Sequence, residues 1–67
     1  MTIRLNDKER VIADAATLGV LLGELGLAER RGVAVAINDA VVSRSSWSTR
    51  QLTENDRVLL IQATQGG

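Results

Sequence analysis

Four leucines in one short stretch constrain the fold more than any other feature of the sequence. They recur at spacings of three and four residues, which a helix converts into one continuous apolar stripe. These residues are Leu18, Leu21, Leu22 and Leu25. Thr17 can cap the start of the helix through its hydroxyl, and Gly26 stands where a left-handed residue would end it. Such a stripe needs one apolar surface to cover it, and we assign it to the core rather than to a cofactor site.

Short apolar runs on both sides of this helix predict the strands of a sheet, because alternating or continuous apolar character is typical of strands. The runs span residues 2–6, 10–13, 33–37, 40–42 and 58–63. Polar turns are predicted at residues 6–9 and 38–39, and Asn55 is the natural candidate for a left-handed residue before the last run. The order predicts an α+β fold, a mixed sheet of four to five strands with one helix packed across one face. The helix supplies the crossover that parallel strands require.

The composition limits the chemistry of the chain. At 67 residues there is room for a single small domain, residues 1–67, with a marginal core. Because there is no Cys and no His, disulfides, thiolate chemistry, an imidazole base and the usual zinc ligands are all absent. We therefore expect no metal site, no catalytic residue and an aliphatic core. Trp47 is expected to cover one end of that core while its indole N–H finds a partner.

Charge and hydropathy restrict the partners. Eight basic and eight acidic residues cancel, so no nucleic-acid partner and no anionic membrane surface is expected. No apolar run approaches the roughly 20 residues that cross a bilayer. The first residues lack the apolar core of a secretion signal, which favours a cytoplasmic location.

The final strand is apolar on both of its faces. The residues of this strand that do not face the helix are Leu59 and Ile61, and the same alternation turns Ala34 and Ala36 outward. We predict that this outer face is a docking surface. The alternative is a set of scattered surface aliphatics, which are common. Arg57 is a candidate contact at the rim, or simply a solvated charge.

The chain ends in two glycines directly after the final strand. Neither Gly66 nor Gly67 carries a Cβ, so this end can pass through a channel too narrow for other residues. A terminal carboxylate on such a flexible stalk, residues 64–67, suits a protein whose own C-terminus is the reactive group. The alternative is a frayed end without a function.

Several segments together match one family pattern. They are the turn at Asn6 and Asp7, the helix at 17–27, the run 35–44 that leads to Trp47, Leu52 with residues 55–58, and the ending Gln65, Gly66 and Gly67. On these residues the chain resembles the ThiS family, the sulfur-carrier proteins of thiamine biosynthesis, over essentially its whole length. Family members commonly have Pro where Ser43 stands and Gly where Asp39 or Asn55 stands, which alters loop rigidity and turn conformation.

The resemblance implies a β-grasp, ubiquitin-like fold with the first and last strands paired in parallel at the sheet centre. It also implies that a ThiF-type, E1-like enzyme uses ATP to adenylate the Gly67 carboxylate. Sulfur from a persulfide donor then replaces AMP, and the thiocarboxylate delivers sulfur to a ThiG-type thiazole synthase. No cofactor is expected on the chain itself. Gly66 and Gln65 would thread into the partners' active sites, while docking would involve Leu59, Ile61, Ala36 and Arg57.

Three other functions are compatible with these residues. One is a ubiquitin-like protein modifier, because the activation chemistry is shared. The tail could serve molybdopterin synthase, whose small subunit shares the fold and the Gly-Gly end, although that subunit is usually longer. From a different class, the domain could be a non-catalytic ubiquitin-like interaction module with an inert tail. A self-contained enzyme is disfavoured because the usual catalytic side chains are missing.

Overall fold

A computed structural model describes residues 1–63 as a five-stranded sheet with one helix across one of its faces. The elements are β1 (Thr2–Leu5), β2 (Lys8–Val11), α1 (Leu18–Glu24), β3 (Val33–Ile37), β4 (Ala40–Val42) and β5 (Arg57–Gln62), with a turn of 3-10 helix at Arg44–Ser46. The predicted tail, residues 64–67, lies outside the described residues.

The strands follow the order β2-β1-β5-β3-β4 across the sheet. The first and last strands, β1 and β5, are parallel neighbours at its centre, with Leu5 opposite Val58. The pairs β1–β2, β3–β4 and β3–β5 are antiparallel. The predicted mixed sheet is thus confirmed, and so is the parallel central pair that the resemblance implied.

The helix begins and ends where the sequence predicts. The Thr17 side chain accepts a hydrogen bond from the Val20 N–H at 3.2 Å. At the other end Gly26 has φ 74°, and the Leu27 N–H donates to the Leu22 carbonyl at 2.8 Å. This pattern is a Schellman motif, which satisfies carbonyls that the helix leaves unpaired. With only seven residues, α1 depends on the packing of its leucines for stability.

Both hairpins turn through an Asn-Asp pair. Asn6 and Asp7 have φ 49° and 70°, and Asn38 and Asp39 have φ 51° and 71°. Positive φ at both central residues gives a two-residue turn whose twist matches that of the strands. The turn predicted at residues 6–9 was therefore too long, because β2 already begins at Lys8.

Trp47 closes one end of the core, as predicted. Its side chain is buried, and the indole Nε1–H donates to the Val42 carbonyl at 3.1 Å. The residues before it form the 3-10 turn, and Gln51 makes a short bridge to Thr17. Asn55 has φ 68°, which confirms the predicted left-handed residue.

The core lies between α1 and the helix-facing side of the sheet, the inner face. Its largest fully buried side chains are Ile3, Leu18, Leu21, Leu22, Val35 and Ile37. The leucine stripe is thus core, as predicted, and Leu25 packs against it while partly buried. No helix within residues 1–63 is long and apolar enough to cross a membrane.

Candidate functional site

The face of the sheet opposite the helix, the outer face, exposes large apolar side chains. On β5, Leu59 and Ile61 remain 49% and 56% exposed, whereas Val58 on the inner face is buried. In the register of β3 and β5, Ala36 lies opposite Leu59 and Ala34 lies opposite Ile61. Because alanines are too short to cover their larger neighbours, both apolar side chains stay open. The predicted alternation of β3 and β5 is confirmed.

The outer face also includes a residue that the sequence reasoning missed. Val41 on β4 lies opposite Ala36 and is 83% exposed. The short run at residues 40–42 carried the signal, since alternation along it turns the central residue away from the core. The apolar part of the outer face therefore extends across three strands: Ala34 and Ala36, Val41, and Leu59 and Ile61.

Charged side chains border one end of this apolar surface. Arg57 lies opposite Arg4 in the parallel pair, and its guanidinium donates to the Asp39 carboxylate at 2.9 Å. The Arg4 guanidinium donates to the Asp7 carbonyl at 3.1 Å. Ala36 and these groups line an open cavity of about 330 Å³. Arg57 thus sits at the rim, where the sequence placed it, whereas its pairing with Asp39 required knowledge of the fold.

The turn at Asn6 fixes β5 from one side. Its side-chain oxygen accepts from the Leu60 N–H at 2.8 Å, and its amide donates to the Leu60 carbonyl at 3.3 Å. The Asn6 backbone N–H also donates to the Val58 carbonyl at 2.9 Å. The side chain therefore continues the β1–β5 ladder beyond the end of β1. This bracing holds the strand segment that presents Leu59 and Ile61.

The turn at Asn38 fixes the beginning of β5 from the other side. The Asn38 side-chain oxygen accepts from the Arg57 N–H, and its amide donates to the Asp56 carboxylate, both at 2.9 Å. Asp56 also accepts from the Thr53 N–H at 2.8 Å and the Thr53 hydroxyl at 3.0 Å. This carboxylate is buried. It connects the β3–β4 turn to Thr53, in the segment that leads into β5.

Burial by itself would raise the pKa of Asp56, because it disfavours the charged form. The hydrogen bonds from Thr53 and Asn38 and the positive charge of Arg50 oppose that effect. Their sum is larger, so the pKa of Asp56 lies below its ordinary value of 3.8. The group is therefore an ionised structural anchor at neutral pH rather than a candidate acid or base.

The predicted docking residues come together in the fold. Leu59, Ile61, Ala36 and Arg57 lie on one face, and their role in docking stays a prediction. The residues of the predicted reactive end, Gln65, Gly66 and Gly67, lie outside the described residues. Within residues 1–63, no cluster of three or more acidic side chains is placed to hold a metal ion.

The topology defines the class of protein. A mixed sheet whose central strands are the parallel first and last strands, and which holds a single helix, is the β-grasp, ubiquitin-like architecture. In this chain the outer face is open, and β5, which carries its most apolar part, leads toward the C-terminus.

Comparisons with known proteins identify the family. The family model described as the ThiS family matches residues 2–67, and the chain belongs to that family. It is 34% identical over 67 residues to the sulfur carrier protein ThiS of Escherichia coli strain K12, which covers 100% of both chains.

Solved structures agree with this assignment. The crystal structure of the thiamine biosynthesis protein ThiS from Geobacter metallireducens has a TM-score of 0.83 at 25% identity, with 100% of both chains covered. A solution structure of a thiamine biosynthesis protein from the same organism has a TM-score of 0.81 at 25% identity, covering 100% of this chain and 88% of that one.

Proposed function

We propose that this chain is a sulfur carrier of thiamine biosynthesis, whose Gly67 carboxylate is charged and discharged by other enzymes. The match to the ThiS family over residues 2–67 carries the proposal, because it includes both the scaffold and the Gly66-Gly67 ending. The Escherichia coli relative bears the name of a sulfur carrier. In this role the chain is a protein co-substrate, and catalysis belongs to its partners.

The chemistry of the carboxyl group explains why charging is needed. A carboxylate is a poor acyl electrophile because its charge is shared between two oxygens. A ThiF-type enzyme lets the Gly67 carboxylate attack the α-phosphorus of ATP, which releases pyrophosphate and leaves an acyl-adenylate. The terminal sulfur of a persulfide donor then attacks the acyl carbon, and AMP leaves. A thiol cleaves the resulting acyl disulfide, and the thiocarboxylate remains.

The thiocarboxylate is a soft nucleophile that stays attached to its carrier. A ThiG-type thiazole synthase accepts the sulfur, which therefore never diffuses free. Because ATP is consumed in the charging step, we place this cycle in the cytoplasm. The chain needs no bound cofactor for its part, since ATP is bound by the activating partner.

The outer face supports this proposal by its position relative to the reactive end. Ile61 precedes Ala63 by two residues, about 7 Å along a strand. Residues 64–67 can span at most about 14 Å when fully extended. A partner that docks on Leu59 and Ile61 would therefore find the Gly67 carboxylate within a short distance of these two side chains. Docking and positioning are the carrier's contribution to catalysis.

Intact mass spectrometry tests the proposal directly. The chain is incubated with ATP, a ThiF-type enzyme and a persulfide donor, and the product is fragmented. We expect a mass gain that matches the replacement of one oxygen by sulfur, located at Gly67. Absence of this gain with an enzyme that charges the Escherichia coli relative would contradict the proposal.

A matched control separates the carrier from a simple interaction module. A variant with one Ala added after Gly67 keeps the whole scaffold but no longer ends in glycine. We expect it to bind the ThiF-type enzyme while losing the mass gain completely. If the extended variant is charged as efficiently as the original chain, the terminal glycine is not the acceptor.

A further inference from the structure

Gly32 contacts Ala63, the residue that directly precedes residues 64–67. The β3–β5 pairing ends with Val33 opposite Gln62, and Gly32 and Ala63 are the next facing residues. The Ala63 N–H donates to the Gly32 carbonyl at 2.8 Å. The ladder therefore continues one step beyond β3 and β5, up to the last described residue.

The contact leaves little room for a side chain on Gly32. Its φ is 77°, a region that favours glycine. A Cβ added there would lie 3.2 Å from the Ala63 carbonyl oxygen and 3.3 Å from the Ala63 Cβ. These separations are tighter than nine in ten contacts that real Cβ atoms make, so Ala63 would have to shift by a few tenths of an ångström. A side chain at this position would push directly on Ala63.

The loop that carries Gly32 is itself tied to the core, so it cannot easily move aside. The Arg44 guanidinium donates to the Ala28 carbonyl at 2.9 Å and to the Arg30 carbonyl. The same guanidinium lies 4.4 Å from the centroid of the buried Trp47 ring, a cation–π geometry. Steric pressure at Gly32 is therefore passed to the Ala63 side of the contact.

We propose that Gly32 is a positioning residue, which sets the place and direction from which the reactive end leaves the sheet. The inference rests on the proposed carrier function. Since residues 64–67 reach at most about 14 Å, the volume accessible to the Gly67 carboxylate is centred on Ala63. Moving Ala63 shifts that whole volume relative to the outer face. A misplacement on the order of 1 Å at a reacting group can cost roughly 10²-fold in rate. The shift of a few tenths of an ångström required at Ala63 should therefore have a smaller effect.

A matched pair of glycine variants tests the proposal. Gly26 has φ 74°, almost the same as Gly32, but a Cβ there meets nothing within 4 Å. Gly32→Ala and Gly26→Ala therefore introduce the same backbone strain, and only the first affects Ala63. The readouts are the carrier-dependent ATP–pyrophosphate exchange catalysed by a ThiF-type enzyme and hydrogen exchange at the Ala63 amide, measured by NMR.

We expect Gly32→Ala to lower kcat of the exchange reaction about tenfold with KM within about twofold, since the outer face is unchanged. Hydrogen exchange at Ala63 should accelerate in the same variant. Gly26→Ala should leave kcat, KM and Ala63 exchange as in the unmodified chain. If Gly32→Ala does not fold, Gly32→Asn and Gly26→Asn replace the pair, because Asn tolerates positive φ better than Ala.

Three results would overturn the proposal. Equal kcat values for Gly32→Ala and Gly26→Ala would show that the contact with Ala63 has no effect of its own beyond the backbone strain that both variants share. A lower kcat with unchanged Ala63 exchange would show that the contact is not the route. If the unmodified chain supports no ATP–pyrophosphate exchange, the proposed carrier function is wrong, and the positioning role is wrong with it. This holds even if hydrogen exchange at the Ala63 amide still differs between the two variants.

Discussion

Val58 and Leu59 are neighbours on β5, yet the first is covered by the helix layer and the second is half exposed. The same contrast extends over both faces of the sheet. On the inner face, β3 contributes Val35 and Ile37 to the core, while on the outer face it contributes only alanines. The apolar residues of the two faces thus differ in burial. The inner face stabilises the fold, whereas the outer face stays exposed, and docking of a partner there is a prediction.

The largest effect on stability is expected from the inner face. Leu22 on α1 is fully buried on the side of the helix that faces the sheet, and Leu22→Ala should lower the free energy of unfolding by about 2–5 kcal/mol. That is a large share of the stability of a small domain. Val20→Ala, on the exposed side of the same helix, should change it by less than about 1 kcal/mol. Urea denaturation measures both values, and equal losses would contradict the assignment of the core.

The two carboxylates around the β3–β4 turn extend the comparison to charged groups. The Asp56 carboxylate is buried and accepts three hydrogen bonds, from the Thr53 N–H, the Thr53 hydroxyl and the Asn38 amide. Asp56→Asn should lower the free energy of unfolding by about 1–3 kcal/mol, because an amide cannot accept from all of them. Asp39→Asn, whose carboxylate is exposed, should change it by less than about 1 kcal/mol. A similar loss of unfolding free energy in both variants would contradict the different roles assigned to the buried and the exposed carboxylate.

The stabilising effect of Asp56 should depend on pH in a defined direction. Its folded pKa is lowered below 3.8, so the unfolded state binds the proton more readily. The contribution of Asp56 to the free energy of unfolding is therefore complete above the pKa that the group has in the unfolded state. It is lost as the pH falls through the pKa of the folded state. The difference in unfolding free energy between the unmodified chain and Asp56→Asn should be larger at pH 7 than at pH 3. A difference that grows toward acid would contradict the lowered pKa.

Adjacent leucines on β5 offer the sharpest test of the two faces. Leu60→Ala removes a side chain that packs against the core and should lower the free energy of unfolding by about 1–3 kcal/mol. Leu59→Ala should lower it by less than about 1 kcal/mol, but should weaken binding to a ThiF-type enzyme about tenfold. Isothermal titration calorimetry with folded variants measures the binding. If Leu59→Ala binds normally, the outer face is not the docking surface.

The elements of this fold could be predicted because each depends on a local pattern. The spacing of Leu18 and Leu22 sets the face of the helix, and Thr17 and Gly26 mark its ends within a few residues. The alternation along β5 likewise assigns Leu59 to the outer face without reference to its partner strands. Such signals need no information from distant parts of the chain.

The contacts that brace the candidate site could not be predicted in this way. Asn6 pairs with Leu60 across 54 positions, and Gly32 meets Ala63 only because β3 and β5 are neighbours. The local sequence around Asn6 predicts only a turn, and Gly32 follows three charged residues that predict only a loop. Their roles follow from strand order and register, which local propensity does not contain.

The smallest expected effect concerns Arg57 at the rim of the outer face. Its ion pair with Asp39 is exposed, so Arg57→Gln should change the free energy of unfolding by less than about 1 kcal/mol. If Arg57 meets an acidic group on the activating enzyme, the variant should associate more slowly and show a weaker dependence of the association rate on salt. Stopped-flow mixing at two salt concentrations measures both quantities. The control is Asp39→Asn, which leaves Arg57 without its carboxylate partner and should speed association instead. Equal rates in both variants and in the unmodified chain would limit docking to the apolar part of the outer face.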